Sequence, residues 1–161
     1  MLKNHFYDVY DLQHVSEIET VFKTGGLVGL NVTIPFKEKV VPFLDELSDE
    51  AEKTGAVNCI LIKDQVKKGY NTDVFGFEKT LVLHRKDFHD SALVLGNGGA
   101  AKAVKYVLEQ HQIPYQTVSR NADLNFGNLT AETVRKNRLI IQCTPVGTFP
   151  NVDDCLDFPF D

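Results

Sequence analysis

The sequence has little cysteine, no basic block and no long apolar run, and each shortage removes a class of protein. Its three cysteines, Cys59, Cys143 and Cys155, cannot all pair within one chain and show no CxxC spacing. That argues against a disulfide framework and against a zinc site, so no metal is expected and the thiols read as reduced and mostly buried. The net charge of -5 is spread without a cationic cluster. Nothing therefore suggests a footprint for phosphodiester backbones or anionic lipid, and neither nucleic acid nor membrane is an expected partner. No apolar stretch approaches the roughly 20 residues that span a bilayer. The start, Met1-Leu2-Lys3-Asn4-His5, also lacks the apolar core of a signal peptide. These shortages together point to a soluble, cytoplasmic protein.

What is present is globular: 161 residues, 43% hydrophobic and 24% charged, enough for one core or two small ones. Phe6, Tyr7, Val9, Tyr10 and Leu12 alternate roughly with polar residues, predicting a partly exposed strand over 6–12. Helical spacing at Val15, Ile18, Val21 and Phe22 ends at Gly25-Gly26, and a strand over 28–33 follows, closing a β-α-β unit. Pro35 and Pro42 split residues 36–47 into two short helical turns. Ser48, followed by Asp49 and Glu50, caps a helix that Gly55 ends. Residues 57–62 and 66–70 flank Lys63-Asp64-Gln65 as a hairpin. A helix from Asp73 to about Leu83 and a polar linker over 84–91 complete a first lobe, residues 1–88.

From residue 89 the pattern changes. Ala92 to Leu95 is a continuous apolar strand, followed by a glycine loop and a helix with Ala100, Ala103, Val104, Val107 and Leu108 on one face. Strands at 115–118 and 139–142, with a helix near 131–136 between them, give a parallel β-α-β-α-β order. The fold class is α/β, with a partial Rossmann-type lobe of about three parallel strands over residues 89–161. The tail, residues 151–161, shows no further strand-helix unit. No internal repeat interrupts this division.

Two places carry chemistry. Gly96-Asn97-Gly98-Gly99-Ala100-Ala101 fits G-x-G-x-x-G/A between a strand and a helix, where a pyrophosphate meets the helix N-terminus. Some 20 residues on, Ser119-Arg120-Asn121 offers a guanidinium where NAD-binding folds present an acid, which favours the 2′-phosphate of NADP, with Asp123 as the one neighbour pointing the other way. In the first lobe, Thr33 and Lys37 follow one strand, and Asn71 and Asp73 follow another. With Asn58 they can converge on a crevice suited to a polyhydroxylated substrate. Each has a plainer alternative: Asp73 as a helix cap, Asn71 as a turn former, Lys37 on a solvated face.

The order Asn31-Val32-Thr33-Ile34-Pro35-Phe36-Lys37, Gly55-Ala56-Val57-Asn58, Asn71-Thr72-Asp73-x-x-Gly76-Phe77, then Gly96-x-Gly98-Gly99-Ala100-Ala101 resembles the shikimate dehydrogenases over roughly residues 6–150. Ser119-Arg120-Asn121 is similar to that family's Asn-Arg-Thr cofactor motif with two substitutions, and Thr144-Pro145-Val146-Gly147 to its Thr-Pro-x-Gly segment. The resemblance implies reversible NADP-linked interconversion of 3-dehydroshikimate and shikimate. Lys37 and Asp73 match the catalytic pair, and Thr33, Asn58 and Asn71 match substrate positions. Gly96, Asn97, Gly98, Gly99, Ala100, Ala101, Ser119, Arg120, Thr144, Pro145 and Gly147 match the cofactor site. It leaves a homodimer open, and implies that an opening strand with a Ser-x-Ser motif and a second Rossmann half lie outside this sequence. The readings that compete with it are a non-catalytic fragment that binds nucleotide or packs as an interaction domain, and a quinate/shikimate dehydrogenase using NAD.

Overall fold

The computed structural model describes residues 6–159, so the start 1–5 and the last two residues of the tail lie outside the described residues. The first half opens with a 3-10 turn, Val15–Glu17, running into α1 (Ile18–Val21), then β1 (Gly29–Asn31). A second 3-10 turn, Val41–Phe43, leads to β2 (Glu46–Leu47), α2 (Asp49–Thr54), the hairpin β3 (Cys59–Lys63) and β4 (Val66–Tyr70), and then α3 (Thr72–His84). Their sheet has the order β1-β3-β4-β2. β3 runs antiparallel to both neighbours, while β2 lies parallel to β4.

Local chemistry explains several of these elements. The Ser48 hydroxyl accepts from the Ala51 N–H at 3.3 Å, three acids fill the first turn of α2, and Gly55 ends the helix at φ 60°. Lys63 pairs with Val66, so the hairpin closes through Asp64 and Gln65 alone. Both have positive φ, 50° and 70°, as a two-residue type I′ connection requires.

One expectation fails in this half and another holds only in part. Residues 6–12 form no strand, and Phe6, Tyr7 and Val9 are 91%, 78% and 85% exposed. Alternation supplies a face, but a strand also needs a neighbour for its N–H and C=O groups. Among the described residues β1 pairs with β3 alone, and the segment meets β1 through Asn31 Nδ2 donating to the Tyr7 hydroxyl at 3.2 Å. The β-α-β unit thus reduces to a short helix and one strand. Residues 36–47 hold the two expected short turns, one closed by the Val40 N–H donating to the Phe36 carbonyl and one over Val41–Phe43. Their end departs from expectation and forms β2, because Asp45 and Ser48 donate to the Lys67 and Gly69 carbonyls.

The second half follows the parallel pattern closely: β5 (Ala92–Leu95), α4 (Gly99–Gln110), β6 (Tyr115–Val118), α5 (Ala131–Lys136) and β7 (Leu139–Gln142), with strand order β6-β5-β7. Both pairings are parallel. Ala92 and Val94 face Val74 and Leu81 of α3 and the apolar side of α4. Leu93 and Leu95 face the opposite way, against Val118 and Leu129, with Leu156 and Phe158 of the tail packed alongside. The described part of the tail holds no helix or strand, yet it covers that face. A separate core beneath the mixed sheet gathers Ile18, Val40, Ala51, Val57 and Ile60.

The thiols differ in part from expectation. All three are free, but Cys155 is exposed, while Cys59 and Cys143 are half-buried. An exposed tail cannot enclose its own side chain.

Candidate functional site

Lys37 rides on the turn that follows Thr33, whose carbonyl accepts the Phe36 N–H at 2.9 Å. The Lys37 carbonyl in turn accepts the Val57 N–H at 2.8 Å, which pins the turn to the approach of β3. Asp73 comes from the first turn of α3. Lys37 Nζ donates to Asp73 Oδ2 at 2.7 Å, with side chains only 17% and 34% exposed. An ion pair so placed is screened less than one on the open surface. The other carboxylate oxygen, Oδ1, accepts from Asn58 Nδ2 at 2.8 Å. Asn58 is itself held, because its N–H donates to Tyr70, its carbonyl accepts from Val32, and its side-chain oxygen accepts the Thr72 N–H at 2.9 Å. Asp73 is therefore oriented from both sides, and only one of the three ammonium N–H donors of Lys37 is used by it.

Lys37 also lines a cleft of about 770 Å³ that the glycine loop closes from the other side. Gly96 turns the chain out of β5 at φ 114°, and a Cβ there would lie 2.9 Å from the Cys143 carbonyl, so both backbone shape and close packing call for glycine. Gly98 is the N-cap of α4, and a Cβ built on it meets nothing within 4 Å. A side chain there would fill space that now belongs to the cleft. Arg120 follows β6 into the same cleft, exposed, beside Ser119 and Asn121.

Lys105 Nζ donates to Asn97 Oδ1 at 2.5 Å, tying the loop to the second turn of α4. Burial pushes the Lys105 ammonium below its ordinary range. Burial pushes the Cys143 thiol up to about 11, against the pull of the Lys105 charge. A thiol held protonated is a poor attacking group.

The expected residues fall into three groups. Lys37, Asp73 and Asn58 form one hydrogen-bonded cluster. Gly96, Asn97, Gly98, Gly99, Ala100, Ser119, Arg120, Thr144 and Pro145 line the cleft that Lys37 shares. The rest stand apart: Ala101 is fully buried beneath the loop, and Gly147 turns at φ 80° against the Asp154 carbonyl. Thr33 is exposed and enters through its backbone. Asn71 is 2% exposed, with Nδ2 donating to the Thr54 hydroxyl at 3.0 Å and Oδ1 left without a partner.

Some participants were given no role by the linear reading, Thr72 although it stands inside a quoted motif. Thr72 brackets the Asn58 amide, and Lys102 of α4 pairs with Glu38 at 2.7 Å across a separation of 64 residues. Phe126 and Leu156 supply apolar cleft wall. Glu38 sits beside Lys37 in sequence, but only the fold brings α4 to it.

Residues 3–60 match the family model for the shikimate dehydrogenase substrate binding domain. The shikimate dehydrogenase (NADP(+)) of Clostridium beijerinckii is 40% identical over 148 residues, covering 85% of this chain and 54% of that protein. The enzyme of the same name from Chlorobium chlorochromatii is 38% identical over 157 residues, covering 84% and 55%. Among solved structures, shikimate dehydrogenase from Thermotoga maritima superimposes with a TM-score of 0.74 at 31% identity, over 89% of this chain and 56% of that one. Shikimate 5-dehydrogenase from Thermus thermophilus in complex with NADP(H) and shikimate gives 0.72 at 29% identity, over 90% and 57%. The chain spans about half the length of the curated relatives it matches.

Proposed function

We propose that this chain, like the shikimate dehydrogenases it is similar to, carries in its cleft the NADP-linked interconversion of 3-dehydroshikimate and shikimate. The observation that carries this is the Lys37–Asp73 pair at 2.7 Å, whose lysine lines the cleft that the glycine loop closes. The loop suits a dinucleotide: Gly98 leaves open space at the N-terminus of α4, and Arg120 stands free in the cleft to meet a 2′-phosphate. We read residues 1–88 as the substrate lobe and 89–161 as the nucleotide lobe of a cytoplasmic protein. Among the described residues no helix is long and apolar enough to cross a membrane.

NADP bound in the cleft takes up or supplies the hydride. Lys37 moves the accompanying proton between its Nζ and the substrate oxygen, within the hydrogen-bond reach that general acid/base work needs. Asp73 holds that ammonium in place, and Asn58 holds Asp73, so the pair meets substrate in one geometry. Asn58, Thr33 and Asn71 are the side chains proposed to bind the substrate's oxygens. For Asn71 the supporting feature is its unpartnered buried Oδ1, an acceptor costing about 1–3 kcal/mol while unmet.

The test is NADP reduction with shikimate on the 161-residue chain. Lys37→Ala is expected to lower kcat by about 100-fold or more with little change in KM, and Asp73→Asn to abolish turnover. Near-normal turnover in Lys37→Ala removes that residue from the mechanism. Retained NADP binding without any turnover in the wild-type chain favours a nucleotide-binding module, and faster turnover with quinate and NAD favours the paralogous activity.

A further inference from the structure

Two adjacent glycines in the nucleotide loop face different neighbours. A Cβ on Gly98 meets nothing within 4 Å, whereas one on Gly99 would lie 3.0 Å from Lys37 Cβ, 3.2 Å from Cδ and 3.6 Å from Cγ. The Lys37 stem thus lies along the bare backbone at the first residue of α4. We infer that Gly99 is a positioning residue for Lys37: its missing side chain forms the seat that lets the lysine reach Asp73, and so makes the ammonium's position depend on the nucleotide loop.

The stem has no slack with which to avoid an added methyl. At one end the Lys37 carbonyl is bonded to Val57, and at the other Nζ is bonded to Asp73. The loop cannot simply retreat either, because Lys102, three residues along α4, is paired with Glu38, the neighbour of Lys37. That pair is 35% and 43% exposed and adds little energy, but it fixes the two segments side by side. The backbone is no obstacle to substitution, since Gly99 does not adopt a left-handed φ and alanine is the better helix former. What Gly99→Ala changes is the clearance over the lysine.

The weight of this seat in catalysis rests on the proton-transfer reading of Lys37; the seat itself does not. The full chain, labelled with carbon-13 at the lysine ε-methylenes and free of nucleotide, reports on it by NMR, with the Lys37 signal assigned through Lys37→Arg. Gly99→Ala is expected to move the Lys37 signal while amide signals outside the loop, Lys37 and their contacts stay in place, and Gly98→Ala is expected to leave Lys37 where it is. An unmoved Lys37 signal in folded Gly99→Ala overturns the proposal, as does an equal shift in Gly98→Ala. If Gly99→Ala does not fold, the Lys37→Gly, Gly99→Ala double variant, which removes all three contacted carbons, restores folding; a double variant that also fails overturns the seat. Undiminished turnover in Lys37→Ala sinks the proton-transfer reading alone and leaves the seat standing.

Discussion

Every residue of β5 is buried, whereas the four strands of the mixed sheet alternate between buried, half-buried and exposed positions and include one of only two residues. The difference comes from what covers each sheet. β5 has α3 and α4 on one face and Leu129 with the tail on the other, so it can be apolar throughout. The mixed sheet has a core on one side and closes its gaps by tight approach: a Cβ on Gly69 would lie 2.6 Å from Leu44 Cδ1 and 2.7 Å from Val57 Cγ2. One half is held by the volume of its side chains and the other partly by the absence of one. α3 belongs to both, carrying Asp73 toward the first half and Val74 and Leu81 into the core of the second.

Mutation at the two kinds of contact breaks or sharpens this contrast. Leu93→Ala, in a fully buried position of β5, is expected to cost about 2–5 kcal/mol in denaturant unfolding through lost burial and a cavity. Gly69→Ala is expected to cost about 1–3 kcal/mol by overpacking, and an unchanged midpoint there removes the claim that clearance holds the mixed half. The smallest effect separates the thiols of the nucleotide half. At about pH 8, iodoacetamide is expected to label exposed Cys155 well before Cys143. Cys143 rises from an ordinary 9.0 to about 11 in the fold, so the folded state binds that proton more tightly than the unfolded chain. Its contribution to stability is intact below about pH 9 and is lost as pH rises through 11, which alkaline unfolding of Cys143→Ser against wild type measures.

Legibility in the sequence follows the same division. β5, α4, β6, α5 and β7 all lie where apolar runs, a glycine loop and helical spacing put them, because a covered parallel strand and an amphipathic helix carry their environment in their own residues. α2 was legible for a local reason too, since Ser48 and Gly55 act within a few residues of themselves. Residues 6–12 were not, because Phe6, Tyr7, Val9, Tyr10 and Leu12 alternate only roughly and find no ladder to join among the described residues. β2 was missed for the converse reason: Glu46 and Leu47 have little strand character and are strand by virtue of β4. In the site, residue types and spacing singled out Lys37, Asp73, Asn58 and the loop, while Lys102 and Leu156 carried no mark.

The order of motifs, the switch from a mixed to a parallel pattern and the glycine loop between strand and helix are properties of the linear sequence, since each depends on neighbours within a turn or a strand. The meeting of Lys37 with Asp73 across 36 residues, and of the Lys37 stem with Gly99, is not. Those distances exist because α3 packs against α4 and brings the first half onto the loop of the second. Contacts of that range are set by which cores share a helix, and tertiary packing alone decides it.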